Sequence, residues 1–354
     1  MSDREDEVRS LAEDLGLHPG DGTPVTIGQS IVDDCRRQVD AWVSQVGAVR
    51  SIDQLERLVS QRLQMVTEEI SDDRDFDRLT EIYARQKRDP IFAVLRDHFD
   101  DIDNPIYGAL IRRRKAKVED GDRFVAVVDC RGTKRRRGFF TRWHEIAHRL
   151  TTHSERRIEQ QSTPELLALP VFRQEDDPIE RLMDDIAGEL GFYHRLFLPA
   201  LEMLTDRDRG VTWQAIDTLR DLHFPTASFH ATLTSAVLRS TRPIAFVECS
   251  TEALDLFYGG LSEENPNQLP ICRVRCSRPG EEDLSELSRI ALPLLDQWRA
   301  MVRGPMLETY QWRSDDLSLE QLSPVEATGR FSIQAMRLPT RIWLLIQPSH
   351  LKLR

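Results

Sequence analysis

Two histidines four residues apart, with a glutamate beside the first, form the part of this sequence best suited to chemistry: His144-Glu145-Ile146-Ala147-His148. On a helix, positions i and i+4 lie one above the other, so both imidazoles face one point and can share a zinc ion. Glu145 projects about a quarter-turn away, toward a water on the open side of the metal. There it accepts the water's proton and later passes it to a leaving amine. The spacing therefore predicts peptide-bond hydrolysis with Zn2+ as cofactor, His144 and His148 as ligands and Glu145 as general base. The bland alternative is a pair of buried histidines bonded to neighbouring carbonyls.

The longer motif with a third histidine two turns on is not met. Arg149-Leu150-Thr151-Thr152-His153 follows, without the glycine turn that motif needs. The third ligand must come from elsewhere, and Glu180 is the best-placed acidic residue. It opens a helix whose apolar stripe is Ile179, Met183, Ile186, Leu190 and Tyr193. Glu180, Asp184, Ala187 and Gly191 share the adjoining flank, and the two small residues there allow another helix close. Asp184 stands one turn behind Glu180, placed to accept a hydrogen bond from a ligand imidazole and fix its tautomer. Asp177-Pro178-Ile179-Glu180 also has the form of a capping box, so capping competes with ligation for Glu180. Glu175 and Asp176, in the preceding loop, are weaker ligand candidates. His153, Tyr193 and His194 are candidates for oxyanion stabilisation.

These side chains need elements to hold them. Phe124-Val125-Ala126-Val127-Val128 is short, apolar and valine-rich, a buried strand. A connection rich in Gly and Arg (130–138) leads to the histidine helix, about 141–151, with His144, His148, Phe140, Ala147 and Thr151 on its interior side. The glutamate helix spans about 178–195 and ends before Pro199. Residues 1–100 read as helical and polar, with Ser51 and Gln54 as a capping box. Two helices joined by a short turn occupy 211–240. From 243 the pattern turns to strands, at 244–247, 271–276 and 342–346, around a helix near 283–303. Cys272, Val274 and Cys276 would form the buried face of one strand.

Composition narrows the class. A chain of 354 residues should form two or three domains, and its 40% apolar and 30% charged content is that of a globular protein. No window approaches the roughly 18 apolar residues of a membrane span. The acidic start MSDREDEVRS has no signal-peptide core, and five cysteines suit a reducing compartment. A cytoplasmic location and no membrane partner are expected. The net charge of −11 disfavours nucleic-acid binding. Two basic runs stand against it, 112–115 and 134–137, and the second could meet an acidic partner just before the metal motif.

Phe140-Thr141-Arg142-Trp143-His144-Glu145-Ile146-Ala147-His148, followed by Ile179-Glu180 and Ile186-Ala187, resembles the ImmA/IrrE family of HExxH, gluzincin-like zinc metallopeptidases. In that family a phenylalanine precedes the metal helix and a later helix supplies a glutamate. Here Ile186 stands in place of a family phenylalanine, and Gly191 interrupts the leucine pair. The resemblance implies a zincin-like catalytic domain (101–205), a helix-turn-helix-like segment (206–242) and a C-terminal α/β, GAF-like sensor domain (243–354); with the helical N-terminal region (1–100), which has no counterpart in the family, this makes an α+β chain in four parts. It also implies a cytoplasmic protease that cuts a helix-turn-helix repressor and so derepresses stress or mobile-element genes. A small-molecule or protein signal would act at the C-terminal domain. A non-catalytic metal-binding or DNA-binding regulator is the competing expectation. The second helix of 211–240 has no Lys or Arg before Arg239, which leaves it poorly equipped to bind DNA.

Overall fold

The computed structural model describes residues 3–18, 23–101, 106–113, 116, 120–152, 177–205, 210–242, 244–250, 271–276, 331–337 and 341–348. It is a mixed α+β fold with helical regions and two small sheets. The chain divides into two compact units, residues 1–197 with 223–231, and 198–222 with 232–354.

In the first unit, α1 (Asp3–Asp14), α2 (Pro24–Val46) and α3 (Ile52–Arg62) precede β1 (Met65–Ile70). Strand β1 lies inside the segment that reads as helical. Its run Met-Val-Thr-Glu-Glu-Ile has apolar residues at both ends and acids between them, so it shows no period-two signal. It earns its place through pairing: β1 runs parallel to β3 (Phe124–Asp129), and β2 (Gly108–Arg112) pairs antiparallel on the other side. All six residues of β3 are buried, which is why the central strand is the apolar one.

Side chains alternate across a sheet, so its two faces serve different cores. Ile111, Val125 and Val127 pack with Phe76, Leu79, Tyr83, Phe92 and Phe99, contributed by α4 (Asp73–Leu79), the turns after it and α5 (Leu95–Phe99). The face that carries Gly108 and Val128 lies against α6 (Gly138–Thr151). At the end of β3, the fully buried Asp129 carboxylate meets Arg131 at 2.9 Å and Lys134 at 2.6 Å. Burial alone would push that carboxyl up, but the two cations hold it below the ordinary aspartate range. The ion pairs fix the 130–137 connection and so set where α6 begins.

Helix α6 packs against α7 (Pro178–Gly191). It is buried around nearly its whole circumference, rather than on one side as its helical wheel suggests, because sheet and helices enclose it. Gly191 permits the approach: a Cβ there would fall 2.9 Å from Trp143 Cδ1. Helix α7 stops at Gly191, earlier than the periodicity predicts, and α8 (His194–Leu204) follows with Pro199 inside it. Proline there forfeits a single backbone hydrogen bond, which a short helix survives. Cys35 and Cys130 are buried free thiols, pushed up by burial to about 12 and about 11.

Helices α9 (Trp213–His223) and α10 (Phe229–Arg239), most of whose residues belong to the second unit, match the two helices expected over 211–240. Strands β4 (Ala245–Ser250), β5 (Ile271–Cys276), β6 (Phe331–Arg337) and β7 (Arg341–Pro348) form an antiparallel sheet in the order β5-β4-β7-β6. The buried Gln347 amide accepts from Val211 N at 3.0 Å and donates to Val211 O at 2.8 Å, so these buried backbone groups are hydrogen-bonded away from water. The helix expected near 283–303 and the facing of Cys272 and Cys276 lie outside the described residues. Among the described residues no helix is long and apolar enough to cross a membrane.

Candidate metal centre

Helices α6 and α7 bring His144, His148 and Glu180 together, their ligand atoms all within 4.8 Å of one another. His144 Nε2 lies 3.0 Å from His148 Nε2 and 3.1 Å from Glu180 Oε2, and His148 Nε2 lies 3.4 Å from Glu180 Oε1. Asp177 caps α7 with its own carboxylate, accepting from Ile179 N and Glu180 N, while the Glu180 carboxylate is turned to the histidines. Asp184, one turn on, accepts the Nδ1–H of His144 at 2.8 Å. His144 is buried; His148 and Glu180 are partly so.

This donor set fits a divalent metal ion. With the Nδ1 proton of His144 committed to Asp184, its Nε2 must carry a second proton or lend its lone pair. Zinc with four ligands at 2.0–2.1 Å holds them about 3.3 Å apart, which is the spacing of these three groups. The metal-free site takes a proton instead. Burial pushes His144 down, but hydrogen bonds to Asp184 and Glu180 outweigh it and hold the imidazole up at about 9. Burial and the neighbouring His144 charge hold His148 down at about 4. The arrangement has a generic zincin-like, metal-binding catalytic geometry.

Glu145 is 6% exposed and points to the sheet. Its neighbour there is Gly108, where a Cβ would fall 2.5 Å from Glu145 Oε1 and 2.5 Å from Thr141 Cγ2. Any larger residue would displace the carboxylate. Gly108 is a position the sequence reading missed, although a glycine within a strand is a recognised sign of close approach. Strand β2 is also a sheet edge: among the described residues, no strand pairs with its outer side.

The other candidates are placed as follows. Tyr193 donates its hydroxyl to Asp40 Oδ1 at 2.5 Å, and His194 Nε2 lies 3.8 Å from the same oxygen, so both are engaged with α2. His153, Glu175 and Asp176 lie outside the described residues. In the 134–137 run, Lys134 is paired with Asp129, and Arg137 lies 4.5 Å over the Tyr107 ring. A second basic grouping was not legible in sequence. Arg149, in the last turn of α6, is held down at about 10 by burial and by the charges of Arg123 and Arg112.

On the opposite side of α6, about 200° round the helix from His144, Arg142 is nearly buried. It donates to Glu69 and, at 3.1 Å, to Thr226 Oγ1, and it lies 3.3 Å from Glu56. These groups line an open cleft of about 450 Å³ with Asp53 and Arg57.

Comparison with protein-family models and with curated proteins finds no match to this chain.

Proposed function

We propose that this chain is a zinc-dependent endopeptidase of the ImmA/IrrE type, with His144, His148 and Glu180 holding the metal and Glu145 as general base. The observation that carries this reading is the convergence of those three ligand groups beside a buried glutamate. When bound, zinc supplies a Lewis acid that acidifies water and polarises the scissile carbonyl. Asp184 keeps the His144 ring in the tautomer that offers Nε2. Glu145 takes the proton from water and returns it to the departing amine. The outer edge of β2, which no described strand covers, supports a peptide substrate, since an extended segment laid along it gains backbone hydrogen bonds. Such pairing would hold a substrate backbone beside Gly108 and the Glu145 carboxylate.

The substrate in this reading is a helix-turn-helix repressor whose cleavage derepresses stress or mobile-element genes, in the cytoplasm. The second unit would receive the activating signal, a small molecule or a protein. Both extensions follow from the family resemblance.

The test is incubation of the zinc-loaded chain with helix-turn-helix repressors from the same genome, any encoded beside its gene first, followed by mass spectrometry. A cut by the wild type and none by Glu145→Gln, with one zinc in each, is expected. A wild type without zinc, or equal cutting by both, overturns the proposal.

A further inference from the structure

Helix α6 presents Thr141, Glu145 and Arg149 at i, i+4 and i+8, a stripe along its sheet-facing side. Thr141 and Glu145 meet Gly108 at the start of β2. Arg149 reaches the other end: its guanidinium carbon lies 4.2 Å over the Phe124 ring. Phe124 pairs in register with Arg112, the last residue of β2. Arg123 comes to the same ring, 5.8 Å from its centre. Three guanidinium-bearing residues therefore gather around one buried phenylalanine.

Arg149 donates to the Thr152 carbonyl, and none of the three has a carboxylate partner among the described residues. Asp122, the carboxylate that directly precedes Arg123, is already taken by Arg113 and Lys87. Like charges gathered at a partly dry surface repel unless an anion joins them. The surroundings point the same way. Residues 112–149 contain thirteen Lys and Arg against five Asp and Glu, within a chain of net charge −11. That local field draws an acidic partner, while the strongly negative whole repels a polyanion such as nucleic acid.

We propose that Arg112, Arg123 and Arg149 form a carboxylate-binding subsite that selects an acidic side chain of the protein substrate. The proposal deepens the peptidase reading and rests on it for the position of the cut. Arg149 is one helical turn, about 6 Å, beyond Glu145. Arg112 is about 14 Å along β2 from Gly108. An extended peptide advances about 3.4 Å per residue, so the acidic residue falls roughly two to four residues from the scissile bond.

The experiment uses the full-length, zinc-loaded Glu145→Gln chain to select from a displayed library of random decapeptides. Selected peptides should be enriched about fivefold in Asp and Glu, the weight of one partly exposed charge pair. The enrichment should vanish when Arg112→Gln and Arg123→Gln are added together. It should persist with Arg123→Lys, which keeps the charge and controls for folding, as do zinc content and thermal melting. No acidic enrichment, or enrichment that survives the double substitution, overturns the proposal. The selected peptides are then offered to the zinc-loaded wild type. Acidic selection without cleavage keeps this subsite and rejects the peptidase; cleavage without acidic preference keeps the peptidase and rejects the subsite.

Discussion

On one side of α6, His144, His148 and Glu180 crowd three electron-pair donors within 3.4 Å of one another, and a proton or a metal must sit among them. On the other side, Arg142 meets Glu69, Glu56 and Thr226, a positive group facing acceptors. Both sides bury charge in one helix. The difference is that the second sets a cation against carboxylates, whereas the first gathers ligand atoms with the spacing of a metal's coordination shell. The second positions the helix; the first could hold a metal ion.

Arg142→Gln leaves Glu56 desolvated without its cation, and should cost about 3 kcal/mol of stability at neutral pH. Burial already pushes the Glu56 carboxyl up despite Arg142. Without Arg142 the carboxylate is charged and uncompensated above its raised pKa, and neutral below it. The loss measured by urea unfolding should therefore shrink as the pH is lowered. An equal loss across the pH range would contradict the pairing.

Gly191→Ala attacks the seam between the two helices. Its new methyl meets Trp143, and overpacking of this kind costs about 1–3 kcal/mol. Calorimetric melting should show that loss, together with weaker zinc binding, because α7 carries Glu180. Asp184→Asn sharpens the metal side alone. Loss of the carboxylate behind His144 should weaken zinc about ten- to hundredfold, and should also lower the metal-free melting temperature at neutral pH, because the protonated His144 loses an acceptor that holds its charge.

How much of this was legible in the sequence follows from range. His144, His148, Glu180 and Asp184 show because helical spacing is local: four residues decide which side chains share a face. β3 shows because five successive residues of this central strand, Phe124 to Val128, are apolar. β1 does not, since Glu68 and Glu69 sit in it for tertiary reasons, Glu68 accepting from Tyr83 and Arg78 and Glu69 from Arg142. The Arg142 cluster joins residues 73 and 84 positions apart, which no local pattern announces. The arginines around Phe124 come from two strands' ends and a helix, and only the fold gathers them. Gly108 was the missed clue that could have been found, a glycine within a strand.

The most direct test of the central claim is calorimetric titration of the metal-stripped chain with zinc at pH 7, in buffers of different ionisation enthalpy. His144 is held up at about 9 and His148 down at about 4, so at that pH only His144 has a proton to give up. The predicted result is one zinc per chain with release of about one proton, lost in His144→Ala and retained in Glu145→Gln. No saturable binding, or binding unchanged in His144→Ala, would contradict the account.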